Sequence, residues 1–227
     1  MNITYIHHSA FLAETESACL LFDYFEGDLP PIPLQKPLYV LASHIHGDHF
    51  SEKIFSISHP DITFLLSFDI PQTAVPIGVN VCFLQPHETW KDTVLSVETF
   101  RSTDEGVAFW CSVDGKEIYH AGDLNHWYWE GEDEQWNRDM TAAYRSEVAG
   151  MAGKTADVAF LPVDPRLGDW FYLGVNDFMK QADAGCIVPM HFWGDFSVCD
   201  RLIRHPSSEH YRDRIITIAE KGQTFSL

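Results

Sequence analysis

Apolar residues arrive along this chain in short runs, each closed by a polar, glycine-bearing or proline-bearing break. That rhythm reads as β-strand more often than helix. Residues 2–7, 10–14 and 18–23 predict three short strands forming an antiparallel opening sheet. The stretch 27–37 holds Pro30, Pro31, Pro33 and Pro37, which fix φ and lack an amide hydrogen, so an irregular loop is predicted. It reads equally as one wall of a cleft or as a plain surface connection. Tyr39-Val40-Leu41-Ala42-Ser43 then reads as a buried strand. Strand-like runs recur at 62–66, 79–84, 93–100, 107–113 and 116–121, with Asp114-Gly115 as a hairpin turn between the last two. Later ones fall at 156–163, 186–193, 215–219 and 224–227. Helical signals are fewer. Ser51 is the expected N-cap of a helix over 51–58, with Ile54, Phe55 and Ile57 among its apolar positions. A second helix is expected over 137–151, where Met140, Ala143, Tyr144, Val148 and Met151 repeat at helical spacing. Others are expected over 175–184, with Asn176 as cap, and near Asp200. With no linker, repeat or low-complexity segment, the pattern predicts an α/β fold in one domain over residues 1–227.

Composition narrows the function classes. Hydrophobic residues are 45% and aromatic residues 14% of the 227, enough for a substantial core. Asp plus Glu number 33 against 15 Lys plus Arg, a formal charge of −18. That balance argues against nucleic-acid or anionic-membrane partners, which need clustered cations, and leaves a small-molecule substrate as the expected partner. The five cysteines are scattered without a CxxC pair, and four lie in strand-like stretches, which fits a reducing compartment better than a disulfide framework. Met1-Asn2-Ile3-Thr4-Tyr5 lacks a basic leader, and no apolar stretch approaches a membrane span. A cytoplasmic location is expected.

The chemistry starts where the strand 39–43 ends. It breaks into His44-Ile45-His46-Gly47-Asp48-His49, four metal-ligand side chains in one short segment. Side chains two apart on an extended segment share a face, so His44 and His46 can address one ion. Gly47 is read as the turn that lets Asp48 and His49 address a second ion beside it. Imidazole plus carboxylate suits zinc, and also manganese or iron. One or two ions, zinc first, are expected.

This hexapeptide resembles the HxHxDH signature of the metallo-β-lactamase superfamily. The resemblance implies a four-layer αββα sandwich with metals along one edge. The segment ITYIHHSAFLAE, residues 3–14, is similar to the opening of lactonase-like and phosphodiesterase-like members. It implies a histidine close to the metals, here His8, that supports the ligands or contacts substrate; a structural role is the alternative. Asp23 matches a buried aspartate that supports the ligand loop, or is a turn residue. Gly122-Asp123, after the hairpin, matches the dipeptide whose carboxylate bridges the two metals. His191, at the end of the strand beginning at Cys186, matches the last histidine ligand. The implied ligand set is thus His44, His46, Asp48, His49, Asp123 and His191, with Asp48 and Asp123 also catalytic.

The chain departs from the family pattern at one ligand. Another histidine is expected after residues 97–100, yet none lies between His87 and His120, and Ser102 or Asp104 is the candidate substitute. The set Asp48, His49, Asp123 and His191 is therefore expected to be the firmer site. Trp127, Tyr128, Trp129 and Trp136 follow the bridging aspartate. Trp127 and Trp129 are candidates to cap the cleft and stack on substrate, while burial against the next helix is expected for at least half of the four. Asp164 and Arg166 lie just past a strand end, where either a site or ordinary Asp-Pro turn chemistry places them. His87 reads as exposed surface and His120 as locally packed. The implied activity is hydrolysis of an ester, lactone, amide or phosphodiester bond of a small molecule by metal-activated water. An iron-bound oxidoreductase and a non-catalytic metal- or ligand-binding protein are the alternatives. No GxSxG elbow supports a serine hydrolase.

Overall fold

The computed structural model describes residues 1–227. Its strands are β1 (Asn2–His7), β2 (Ala10–Glu14), β3 (Cys19–Phe22), β4 (Leu38–Ala42), β5 (Ile62–Ser67), β6 (Val81–Leu84), β7 (Thr89–Lys91), β8 (Ser96–Arg101), β9 (Val107–Val113), β10 (Lys116–His120), β11 (Thr155–Pro162), β12 (Asp183–Met190) and β13 (Thr224–Ser226). The helices are α1 (Glu134–Ala149), α2 (Leu173–Gln181) and α3 (Ser197–Arg204). Two mixed sheets result, ordered β13-β1-β2-β3-β4-β5-β6 and β12-β11-β10-β9-β8-β7. Pairing is antiparallel from β13 to β3 and parallel from β3 to β6, while β10, β11 and β12 are parallel in the second sheet. No helix is long and apolar enough to cross a membrane.

The period of two decides how the sheets pack. Ile3, Tyr5, Phe11, Ala13, Leu20, Phe22, Tyr39 and Leu41 point from the first sheet into the core it shares with the second. The intervening Ile6, Leu12, Cys19, Leu21, Leu38 and Val40 form a separate cluster on the outer face, with Phe50 and Ile54. The first sheet is therefore buried on both faces, which explains its nearly uninterrupted apolar strands. On the second sheet, α1 and α2 contribute Tyr144, Val148, Val175 and Phe178 to the shared core. Two facing mixed sheets flanked by helical elements are the layering the resemblance implies, the Glu52–Ser56 3₁₀ turn standing on the first sheet's outer face and α1 and α2 on the second.

Several elements differ from the sequence expectation. The helix expected over 51–58 is a 3₁₀ turn, Glu52–Ser56, whose N-cap Ser51 accepts from the Lys53 amide. His59-Pro60 follows so closely that a longer helix has no room, since the residue before proline avoids helical ψ. The strand expected over 93–100 starts only at Ser96, its first residues forming the turn of a hairpin with β7. The Asp92 carboxylate accepts from the amides of Val94 and Leu95 and turns the chain between β7 and β8. Residues 215–219 form no strand; Ile215 makes one isolated bridge to Ile187, and the Gln223 side chain binds Ala219 N and Thr217 O in place of a ladder. α1 starts at Glu134 because Asp133 caps the Gln135 amide, and α2 starts at Leu173 with no cap from Asn176. β12 is Asp183–Met190, ending where His191 adopts a φ of 61°.

Candidate metal centre

Five strand ends from both sheets deliver the site: β1 to His8, β4 to the hexapeptide, β8 to Asp104, β10 to Asp123 and β12 to His191. Beyond β4, Ser43 O accepts from the Val107 amide, tying the ligand loop to the second sheet. Gly106 makes that approach possible. A Cβ there would run into Ser43 O and sit 2.6 Å from the His44 Cβ, at a φ of +70°. The loop itself closes through the amides of His49 and Phe50, both donating to His46 O. Gly47, expected to be the enabling turn, has no positive φ and open space around it, so hydrogen bonding closes the loop without special backbone freedom there.

The side chains converge in two groups. One is His44, His46, Asp104 and Asp123; the other is His8, Asp48, His49 and His191; in each, the donor atoms lie within 4.8 Å of one another. Asp123 faces both. Its Oδ1 lies 3.2 Å from His49 Nε2 and 3.4 Å from His191 Nε2, and its Oδ2 lies 3.6 Å from His44 Nε2. Three imidazoles are held by their other nitrogen: His44 Nδ1 to Ser43 Oγ at 2.9 Å, His49 Nδ1 to Asp23 Oδ2 at 2.7 Å, and His191 Nδ1 to Asp164 Oδ2 at 3.0 Å. Asp23, fully buried, also accepts from the Ser43 amide and hydroxyl at 2.7 Å each. Anchoring one ring nitrogen fixes tautomer and orientation, and aims the other at the centre. His8 Nε2, His44 Nε2, His49 Nε2 and Asp123 Oδ1 are buried without any hydrogen-bond partner. Orphaned polar atoms in a dry pocket are costly, and converging nitrogens and carboxylate oxygens are the donor set of a cation. The residues fit a metal.

Electrostatics agree. Burial lowers His8 and His44 to about 4, so both are neutral donors. Burial also works against charge on His49 and His191, but Asp123 outweighs it, with Asp23 or Asp164, raising His49 well above its ordinary value and His191 to about 9. Asp123 is held far below the usual carboxylate range, burial being overcome by His191 and His49.

Each candidate residue has a definite position. His8 lies within the second group itself, its Nε2 3.4 Å from Asp48 Oδ2, closer than a supporting role requires. Asp104 reaches His46 Nδ1 at 3.5 Å, whereas the Ser102 hydroxyl is engaged by the Asp104 amide; of the two candidate substitutes, the carboxylate joins the donor atoms. His46 and Asp104 are exposed, unlike the second group. Trp127 is buried, donates its indole N–H to Asp123 O at 3.0 Å and meets the His191 ring edge-on at 5.4 Å. Trp129 stacks parallel to it at 6.1 Å. Tyr128 turns away onto Trp170, and Trp136 is 40% exposed. A cavity of about 500 Å³ opens over His46, Asp48, Asp104, Asp123 and His191, walled by these tryptophans, Met140, Arg166 and Trp193. Asp164 is fully buried and orients His191, a role its loop position left open. Trp193 carried no signal in the sequence beyond its place after His191. His120 stacks on Phe22 and bonds Ser9 O, local packing as read from the sequence.

Comparisons with known proteins point the same way. The family described as "Beta-lactamase superfamily domain" matches residues 2–138. A UPF0173 metal-dependent hydrolase from Desulforamulus reducens is 27% identical over 213 residues, covering 85% of this chain and 84% of its own. Among solved structures, a metallo hydrolase from Ignicoccus hospitalis superposes with a TM-score of 0.67 at 18% identity, covering 100% of this chain and 98% of its own. A diiron β-hydroxylase from Streptomyces venezuelae gives 0.60 at 14% identity, covering 100% of this chain and 54% of that one.

Proposed function

Because the chain belongs to the β-lactamase superfamily, we propose that it is a metal-dependent hydrolase acting on an ester, lactone, amide or phosphodiester bond of a small molecule. The observation that carries this reading is the pair of four-donor groups hinged on Asp123, with three imidazole nitrogens and a carboxylate oxygen buried and unpaired. His44, His46, Asp104 and Asp123 would hold one ion, and His8, Asp48, His49 and His191, sharing Asp123, the other. Bound zinc or manganese supplies a Lewis acid and lowers the pKa of water to near neutrality. The chain's residues do the rest. Asp48, 27% exposed at the cleft and kept ionised by His8 and His49 despite its burial, would ligate one ion and orient the attacking water as a hydrogen-bond acceptor. Trp127 and Trp129 keep bulk water from one wall and position the substrate. Relatives named as metal-dependent hydrolases support the reading.

Iron is the second reading. The first group pairs two carboxylates with two imidazoles, a set that suits iron as well as zinc, and a diiron enzyme shares the fold. Plasma mass spectrometry of protein purified without added metal tests both readings. Two zinc or manganese ions per chain are expected, His46→Ala losing one and His49→Ala depleting the site holding His191. Turnover of an ester, a lactone or bis(p-nitrophenyl) phosphate should fall by about a hundredfold or more in Asp48→Ala, the order of loss for a misplaced nucleophile. Iron in a coloured protein would favour the oxidoreductase. No metal after reconstitution would sink the hydrolase.

A further inference from the structure

The cleft is lined by one guanidinium, and its neighbours hold it in place. Arg166 follows β11 and is 48% exposed, so its charge is reachable from the cavity it lines. Its guanidinium carbon lies 4.7 Å from the Trp193 ring centre and 5.6 Å from that of Trp129. Asp164 occupies one edge: Nε donates to Oδ1 at 3.0 Å and Oδ2 at 2.9 Å, and Nη2 donates to Oδ2 at 2.5 Å. No hydrogen bond within the chain uses Nη1. Since guanidinium donors are paired along edges, the Nη1–Nη2 edge keeps two parallel N–H groups free. Trp193 is itself held in an unusual conformation, φ 53°, with its ring 4.5 Å from that of His8 and 52% exposed.

From this juxtaposition we infer that Arg166 is the substrate's oxyanion receptor, taking a carboxylate-like group of a flat, apolar molecule whose body lies against Trp193 and Trp129. The inference rests on the hydrolase reading for the position of the reacting bond, which would lie over Asp123. A guanidinium buttressed on one edge and packed on two indoles loses little freedom when it binds, and the indoles supply apolar area with few torsions to freeze. The chain's formal charge of −18 leaves the rest of the protein surface poor at attracting anions, so apart from any bound ions selection falls to this one group.

Isothermal titration calorimetry on the full chain, as purified and after zinc loading, tests the assignment with 2-naphthalenesulfonate and 2-naphthalenemethanol. The two share an arene and differ in charge, and a sulfonate is a poor zinc ligand. The wild type should prefer the sulfonate by about tenfold or more, Arg166→Met should erase the preference, and Arg166→Lys should keep part of it, charge without the fork. Trp193→Ala should weaken both probes. Equal affinities in the wild type, or a preference that survives in Arg166→Met, overturns the inference. Loss of zinc from Arg166→Met together with both probes also overturns it, because Arg166 would then act only by steadying Asp164 and His191. Failure of every hydrolytic assay would defeat the hydrolase reading and leave this selectivity standing, so the two failures are distinguishable.

Discussion

His8, Asp23 and His191 share a left-handed backbone, with φ of 54°, 45° and 61°. Such conformations cost side-chain-bearing residues of the order of 1–3 kcal/mol and persist where the surroundings over-determine them. Each follows a strand and turns its side chain sideways from the ladder into the centre. Asp23 carries the most consequence, since it holds both His49 and the Ser43 backbone. Asp23→Asn should lower zinc affinity about 10–100-fold in a competition titration with a chromophoric chelator. Unchanged affinity would reduce Asp23 to a turn residue. Gly106→Ala should destabilise the fold by roughly 1–3 kcal/mol or more, read from its urea midpoint, because a left-handed φ and a collision with Ser43 O coincide. At this scale the hexapeptide was legible because its donors are contiguous. His8 and Asp164 were not fully legible, because their roles depend on which strand ends meet. Asp104 could be offered only beside Ser102, since the hydrogen bond that separates them belongs to the folded loop.

Elements were legible where apolar runs are bounded by turn residues and obscure where side chains replace ladders. The opening three strands, the β9–β10 hairpin and β11 follow the apolar pattern closely. The turn at Asp92 and the non-strand at 215–219 are set by side-chain-to-backbone bonds that mimic or displace strand pairing, which hydrophobic periodicity does not register. The helical layer depends on one carboxylate. Asp177 on α2 accepts from Arg145 of α1 at 2.9 Å, from Lys180 at 2.8 Å, and lies 3.1 Å from His126 Nδ1. Burial alone would raise its pKa, yet His126, Lys180 and Arg145 hold it well below the ordinary carboxylate range. A depressed carboxylate stabilises the fold above its unfolded value, near 3.9, and that contribution is lost as pH falls through the lower folded value. Asp177→Asn should therefore cost about 1–3 kcal/mol at pH 7, and the gap from wild type should close as urea titrations move below about pH 4. A gap independent of pH would assign the loss to packing.

At the scale of the molecule, acidic surface and metal centre act together. Asp48, Asp104 and Asp123 crowd one cleft of a chain already at −18, and Asp104 is raised by partial desolvation in the cleft and by Asp123. Bound cations relieve that repulsion, and they stabilise only the folded chain, by about 2.7 kcal/mol at a hundredfold excess over Kd. Chelation should lower the melting temperature by several degrees and zinc should restore it; identical melting curves would show that the donors do not bind zinc at working concentrations. Fold class was legible at this scale through the resemblance carried by the hexapeptide 44–49, which implied the sandwich of two sheets. The cleft's aromatic wall was only half legible, because Trp193 joins it from the far side of His191.

The donors come from His8 near one end of the chain to His191 near the other, and from strands of both sheets. No local segment offers more than a fragment of either group, and closing such long loops is slow. A competent set of donors therefore exists only once the two sheets have docked through their own apolar core, so any ion the centre takes would be captured by a finished scaffold, and its occupancy would report that the two halves met in register.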